Sequence, residues 1–323
     1  MRSKGHLLRE TELDGHPAVV LACEDRALEL TVVPGAGMVG ARLTQGGRDL
    51  LHDGDGLAAW TGRGATFGIP LLHPWANQLE RLAYAACGQA VLLDPQRMPL
   101  TFDGGGLPIH GLLHATPRWE VLRTYGEPGA AGISARYDAV QDPDVFPGFP
   151  FPHVLDLTIT LRSDLVTFEL VLTATGEQPV PVSFGWHPYL RLPGVPREEW
   201  RLHLPVVTQA LLDGRSLPTG QTRPAPLRDG LLAGRGLDDF FPLLDEPAEF
   251  VVAGGEGALR ARFEEGFPCA QVYTPPGADF ICFEPMTAPT DALRRGGASL
   301  RVVPPGGTYV SRWSLLVEGR PGA

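Results

Sequence analysis

The chain has 323 residues, a formal net charge of −10 at pH 7 and an isoelectric point near 5.4. Such an acidic balance gives no electrostatic footprint for nucleic acid or for an anionic membrane surface. Lys4 is the single lysine, so an internal Schiff base and a phosphate-binding P-loop are both excluded.

Hydrophobic residues make up 43% of the chain and charged residues 20%, with mean hydropathy −0.02, a composition that folds rather than stays disordered. The 40 glycines and 32 prolines lie scattered between apolar runs, and they amount to more than a fifth of the chain. Punctuation of that density suits many short strands and disfavours long helices. The expected class is all-β: a large antiparallel β-sandwich forming one domain over residues 1–323, since such sandwiches run long as single domains.

In chain order, short β-type runs fall at residues 18–22, 28–33, 38–43, 90–93 and 119–124. The clearest period-two pattern follows, between residues 155 and 175. Leu155, Leu157, Ile159 and Leu161 share one face; after Ser163-Asp164, Val166, Phe168, Leu170, Leu172 and Ala174 share another. Two such runs around a two-residue polar link predict a hairpin with one buried face. Further runs lie at residues 206–212, 258–263, 269–273, 280–283, 300–303 and 309–317. The Gly/Pro-rich stretches 104–108, 143–152 and 218–226 read as loops, none long enough for an interdomain linker. No helical period extends beyond about three turns, and there is no tandem repeat.

Residues 1–10 contain no continuous apolar signal segment, and no run approaches ~20 apolar residues, so a soluble cytoplasmic protein is expected. Cys23, Cys87, Cys269 and Cys282 are widely spaced without a C-x-x-C pair, which is neither a zinc framework nor a disulfide scaffold. His110 and His114 have i, i+4 spacing but lack the glutamate of H-E-x-x-H, and Gly111 opposes a helix there. His52 through Gly56 resembles a calcium loop only at its start. No metal and no cofactor are expected.

Five segments join polar or titratable side chains to rigid turn residues: Pro74 to Gln78, Ile109-His110-Gly111, Phe184 to Tyr189, Leu237 to Phe240, and Phe283-Glu284-Pro285. Pro188 biases His187 to an extended backbone. Glu284 ends an apolar run and is flanked by Phe283, Pro285 and Met286, which is poor company for a purely solvated charge. Burial would raise its pKa toward that of a useful base. Each residue also has a plain structural reading. His187 fits a packed histidine, Glu284 a strand-end ion pair, His110-Gly111 a turn, Asn77 an Asx-turn and Asp238 a loop cap.

In order and spacing, these five segments resemble the aldose 1-epimerase (galactose mutarotase-like) family over most of the chain. Gly185-Trp186-His187-Pro188-Tyr189 and Phe283-Glu284-Pro285-Met286-Thr287 are the most specific pieces. Val33-Pro34-Gly35-Ala36-Gly37 near the start and Pro304-Pro305-Gly306-Gly307-Thr308 near the end are similar to family turns. The resemblance implies a β-supersandwich whose pocket opens and recloses a pyranose at its anomeric carbon. It also implies Glu284 as general base, His187 as general acid, His110 at the ring oxygen, Asn77 in the family's Asn-Arg motif and Asp238 on sugar hydroxyls. The chain departs from the pattern in one place. The family's Gly-Arg-x-x-Asn-Arg is replaced by His73-Pro74-Trp75-Ala76-Asn77-Gln78, so both arginines are missing and Arg81 lies just beyond. Trp75 offers an apolar face for stacking on a sugar.

The expected activity is therefore anomer interconversion of a hexose, by a monomer or homodimer whose partner is a small sugar. Three alternatives stand beside it. One is a hexose-6-phosphate 1-epimerase anchored by Arg81, Arg118 or Arg191. Another is a non-catalytic sugar binder of the same fold. The third, a glycoside hydrolase, is disfavoured because the apparent pair is Glu plus His rather than two carboxylates.

Overall fold

The computed structural model describes residues 5–242 and 244–321, so Lys4 lies outside the described residues. The hairpin between residues 155 and 175 forms as its alternation requires, from strands His153–Arg162 and Leu165–Ala174. Arg162 pairs with Leu165 across Ser163-Asp164, with Ser163 at φ 53°. Leu155, Leu157, Ile159 and Leu161 are buried, while the residues between them are partly open.

This hairpin sits within an eight-stranded antiparallel sheet. Its order is Glu120–Glu127, Ala130–Asp138, His153–Arg162, Leu165–Ala174, Thr308–Pro321, Ala248–Glu265, Arg201–His203, Asp229–Leu231. Register aligns apolar side chains on its inner face; Phe168 stands opposite Trp313 with the rings stacked at 4.6 Å. On the outer face Arg136 forks onto Asp156 through two hydrogen bonds of 2.8 and 2.9 Å. A second, five-stranded sheet runs from His6–Leu13 through His16–Cys23, Leu28–Val33 and Val39–Gln45 to Arg48–Asp49.

A third, six-stranded sheet carries the functional region. Its path is Leu237–Phe241, Cys269–Thr274, Ile281–Met286, Gly185–Trp186, Leu71–Leu72, and Tyr189–Leu190 pairs alongside Ile281–Met286. One core cluster draws on all three sheets, with Leu30 and Leu43, Ile159, Phe168 and Trp313, and Val272, Ile281 and Phe283 in mutual burial. Each such side chain contributes roughly 1.5–3 kcal/mol by leaving water.

Alternation gives the third sheet two unlike faces. Ala270, Val272, Ile281 and Phe283 point into the core, so Gln271, Tyr273, Cys282 and Glu284 must point the other way. The core thus fixes, by register, which polar side chains are presented together.

One sequence expectation needs correction, and two further elements carry no sequence signal. Residues 218–226 were expected as a loop, but Pro218–Pro224 is a strand paired with Thr208–Leu212. Nearly all of it is exposed, so no apolar alternation marks it. The strand His6–Leu13 went unmarked for the same reason, being polar and mostly exposed. Gly56–Arg63 forms an α-helix of 8 residues that buries Leu57 and Trp60, and two turns are too few to show a period.

Candidate active site

The cleft opens on the polar face of the third sheet. Its lining is Asn77, Gln78, Ile109, His110, His187, Tyr189, Ser216, Asp238, Gln271, Tyr273 and Glu284, around a cavity of about 220 Å³. That is smaller than the ~300–1,000 Å³ typical of drug-sized ligands and has room for one small molecule.

Glu284 lies on the strand Ile281–Met286, opposite Gln271 on the neighbouring strand. It is 1% exposed, as its apolar flanks led one to expect. His187 sits between the Gly185–Trp186 and Tyr189–Leu190 strands and is 5% exposed. Its backbone N–H donates to the Pro70 carbonyl at 3.2 Å. The Tyr189 ring stacks on its imidazole at 4.5 Å, and the Tyr189 hydroxyl is held by Thr66 Oγ1 at 2.6 Å. His187 Nε2 reaches Glu284 Oε1 at 3.2 Å. The two remaining polar atoms, His187 Nδ1 and Glu284 Oε2, are buried without a partner.

Electrostatics follow from this burial. Loss of water pushes the Glu284 carboxyl well above its ordinary value, and the Asp238 charge pushes the same way. Loss of water holds the His187 imidazole well below its ordinary value, with His110 adding to the effect.

His110 stands edge-on to His187 at 5.3 Å between ring centres. It reaches the cleft through a tight backbone reversal, with His110 at φ 64° and Gly111 at φ 76°. The His110 N–H donates to the Asn77 carbonyl at 3.1 Å, and a Cβ on Gly111 would fall 2.3 Å from the His73 carbonyl oxygen. His110-Gly111 is therefore a turn, and the His110 side chain lines the cleft. Desolvation lowers the His110 pKa to about 4, against a raising effect of Asp103 and with a further lowering by His114. Asn77, at φ 54°, donates from Nδ2 to Thr290 Oγ1 at 3.3 Å. Asp238 stands at the open rim and accepts from Gln271 Nε2 at 2.5 Å. Its neighbour Asp239 turns the other way, to Gln209.

Two sequence-predicted binding residues lie elsewhere. Trp75 is 1% exposed and packs into the main core, so its ring offers no face to a ligand. Its neighbour Ala76 faces the opposite side, with Met286 and Phe240, and the alternation leaves Trp75 pointing inward. Arg81 is exposed, pairs with Glu80 at 3.4 Å and lines a separate groove with Leu92 and Arg294.

Gln78, Ile109 and Tyr189, which fall in the singled-out segments without an assigned role, also line the cleft, as do Ser216, Gln271 and Tyr273, which fall outside those segments. For Gln271 and Tyr273 a signal existed: they alternate with Ala270 and Val272, marking a second face with different demands. Gln78 stands where the family pattern has its second arginine, so this wall of the cleft is uncharged.

Comparison with known proteins agrees with the fold. A profile of the family described as Aldose 1-epimerase matches residues 25–315. An uncharacterized Escherichia coli K12 protein, YphB, is 28% identical over 177 residues, 49% of this chain and 58% of that protein. The chain thus spans somewhat over half the length of that curated relative. A galactose mutarotase-like protein from Clostridium acetobutylicum superposes with a TM-score of 0.84 at 16% identity, covering 98% of this chain and 99% of that one. A galactose 1-epimerase from Lactobacillus acidophilus NCFM gives 0.73 at 14% identity, covering 98% and 99%. At such identities the superpositions speak for the fold, and the β-sandwich is of the galactose mutarotase-like kind. With the family profile matching nearly its whole length, the chain belongs to the aldose 1-epimerase family.

Proposed function

We propose that the chain is a cofactor-independent aldose 1-epimerase that interconverts the α and β anomers of an uncharged hexose. The observation that carries the reading is the buried contact of His187 Nε2 with Glu284 Oε1 at 3.2 Å, at the floor of a sugar-sized cleft.

Mutarotation removes one proton from the C1 hydroxyl and delivers one to the ring oxygen, so the enzyme's own proton count is the same before and after. A base and an acid must together hold one transferable proton. Burial arranges this. Two protons on the pair would leave a lone buried imidazolium, and none would leave a lone buried carboxylate, both costly. With Glu284 raised and His187 lowered, the pair keeps one proton over a wide pH range. By these shifts the shared proton rests on Glu284; passed across the 3.2 Å contact to His187 Nε2, it leaves a carboxylate that takes the C1 proton and an imidazolium that supplies the ring oxygen, with His110 beside it. After rotation about C1–C2 the ring closes with the opposite hand. Asp238, Gln271 and Asn77, which line the same cleft, hold the hydroxyls in this reading.

The close approach of a titratable acid and imidazole, rather than two neutral amides or hydroxyls, supports catalysis over simple binding. The lining of the cleft, among the described residues, contains neither Arg nor Lys, which favours a sugar without phosphate. Arg118 pairs with Asp142 and Asp144, and Arg191 with Asp279, outside that lining. No helix among the described residues is long and apolar enough to cross a membrane. The four free cysteines fit a reducing, cytoplasmic compartment.

Anomer exchange followed by polarimetry or NMR across a panel of free and 6-phosphorylated aldoses tests the reading. Free hexoses should be turned over and phosphorylated ones should not, and His187→Asn should slow exchange at least ~100-fold. Sugar binding without acceleration would reverse the assignment in favour of a binding protein.

A further inference from the structure

We propose that His187, Cys282 and Glu284 form a binding site for a thiophilic divalent cation such as Zn²⁺, which switches the acid/base pair off. No short sequence motif announces this cluster. Cys282 and Glu284 lie two apart on one strand and so share a face, and His187 arrives from a segment nearly a hundred residues earlier. One ligand atom from each, the imidazole nitrogen, the thiol sulfur and a carboxylate oxygen, fall within 4.8 Å of one another. Among the described residues this is the one such group of three.

Geometry, charge and chemistry agree. Zn–S near ~2.3 Å and Zn–N or Zn–O near ~2.0–2.2 Å place tetrahedral ligands roughly 3.3–3.7 Å apart. The His187–Glu284 contact, at 3.2 Å, is already at that spacing. The thiol needs an approach of only about 1 Å, within the reach of a side-chain rotation. All three side chains are buried, and Glu284 Oε2 has no partner, so a cation would satisfy an atom the fold leaves open. On binding, three bonds to the metal form, and the thiol proton and the proton shared by the pair pass to solvent. The divalent charge is then cancelled by one thiolate and one carboxylate, leaving a neutral cluster suited to a low-dielectric site.

The mixed sulfur, nitrogen and oxygen set selects Zn²⁺, Cd²⁺ or Co²⁺ over Mg²⁺ and Ca²⁺, which take oxygen shells. His187 and Glu284 line the cleft, so water from the cleft would supply a fourth ligand. The consequence is inhibition, because both groups that move protons are then held by the metal. That effect on turnover rests on the acid/base reading above; the binding does not.

The test adds CoCl₂ to the purified protein and reads the thiolate-to-cobalt charge-transfer absorption, alongside ZnCl₂ inhibition of anomer exchange. The wild type should show the band and be inhibited by Zn²⁺, with reversal by EDTA and no effect of MgCl₂. Cys282→Ser and Cys282→Ala should fold, retain turnover, lose the band and need at least tenfold more Zn²⁺ for half-inhibition, since losing even an outer-shell partner costs ~10–100-fold. A wild type without the cobalt band overturns the site, whether or not the protein turns over sugar. Equal Zn²⁺ sensitivity in wild type and both variants overturns it as well. A band in a protein that exchanges no anomers would support the metal site while removing the enzymatic assignment.

Discussion

Replacing Glu284 by Gln should separate activity from stability in opposite directions. The amide matches the carboxyl in shape and can keep a hydrogen bond to His187 Nε2, now 3.2 Å away, but it cannot accept the C1 proton. General-base catalysis contributes ~10²–10⁴-fold, so the lower limit corresponds to about 2.7 kcal/mol of lost transition-state stabilisation. Stability has the other sign. Burial and the Asp238 charge raise the folded-state pKa of Glu284, so the folded protein disfavours its ionisation. Relative to an unfolded carboxyl of about 4.3, the wild type loses stability as pH climbs from there toward the raised folded value. Glutamine does not ionise, so the variant escapes that loss. Its midpoint in thermal or urea unfolding should match the wild type near pH 4 and equal or exceed it near pH 7.5. Anomer exchange by NMR, with unfolding at both pH values on the same preparations, measures the two arms. Wild-type turnover in the variant would remove Glu284 as the base. A stability deficit that widens with pH would show that the native carboxylate is favourably paired, and the one-proton argument would fail.

Three further outcomes follow from the same structure. The pH profile of kcat/KM should be flat across pH 6.5, the ordinary imidazole value being about 6.5. Its acid limb should fall below that, at the lowered His187 value, and its alkaline limb at the raised Glu284 value; a limb centred on 6.5 would contradict the burial argument. Gly111→Ala places a Cβ 2.3 Å from the His73 carbonyl oxygen at a backbone φ of 76°, so urea unfolding should register a loss on the order of 2–4 kcal/mol. Trp75→Phe should lower stability by roughly 1–3 kcal/mol and leave KM for the sugar unchanged, because the ring is core and not cleft. A KM raised tenfold with stability intact would restore Trp75 to the binding surface.

Much of the fold is legible locally because burial has a period. Leu155 to Leu161 and Val166 to Ala174 announce strands whose alternate positions fill the core, and both strands form at the expected turn. Pro218–Pro224 and His6–Leu13 are strands without that signature, since the first is exposed along almost its whole length and the second packs only Leu8 and Leu13, five residues apart, against the core. Chemistry is legible where a side chain conflicts with its neighbours, as with Glu284 set among Phe283, Pro285 and Met286.

What the sequence determined by itself is the all-β class, the absence of lysine chemistry and the identity of the buried acid and imidazole. Tertiary structure alone decided which distant residues share the cleft. It turned Trp75 into the core, sent Arg81 to another groove, brought Gln271 and Tyr273 beside Glu284, and set Cys282 within ligand reach of His187. The physical reason is that alternation fixes a side chain's face, while its neighbours on that face depend on register between strands far apart in the chain.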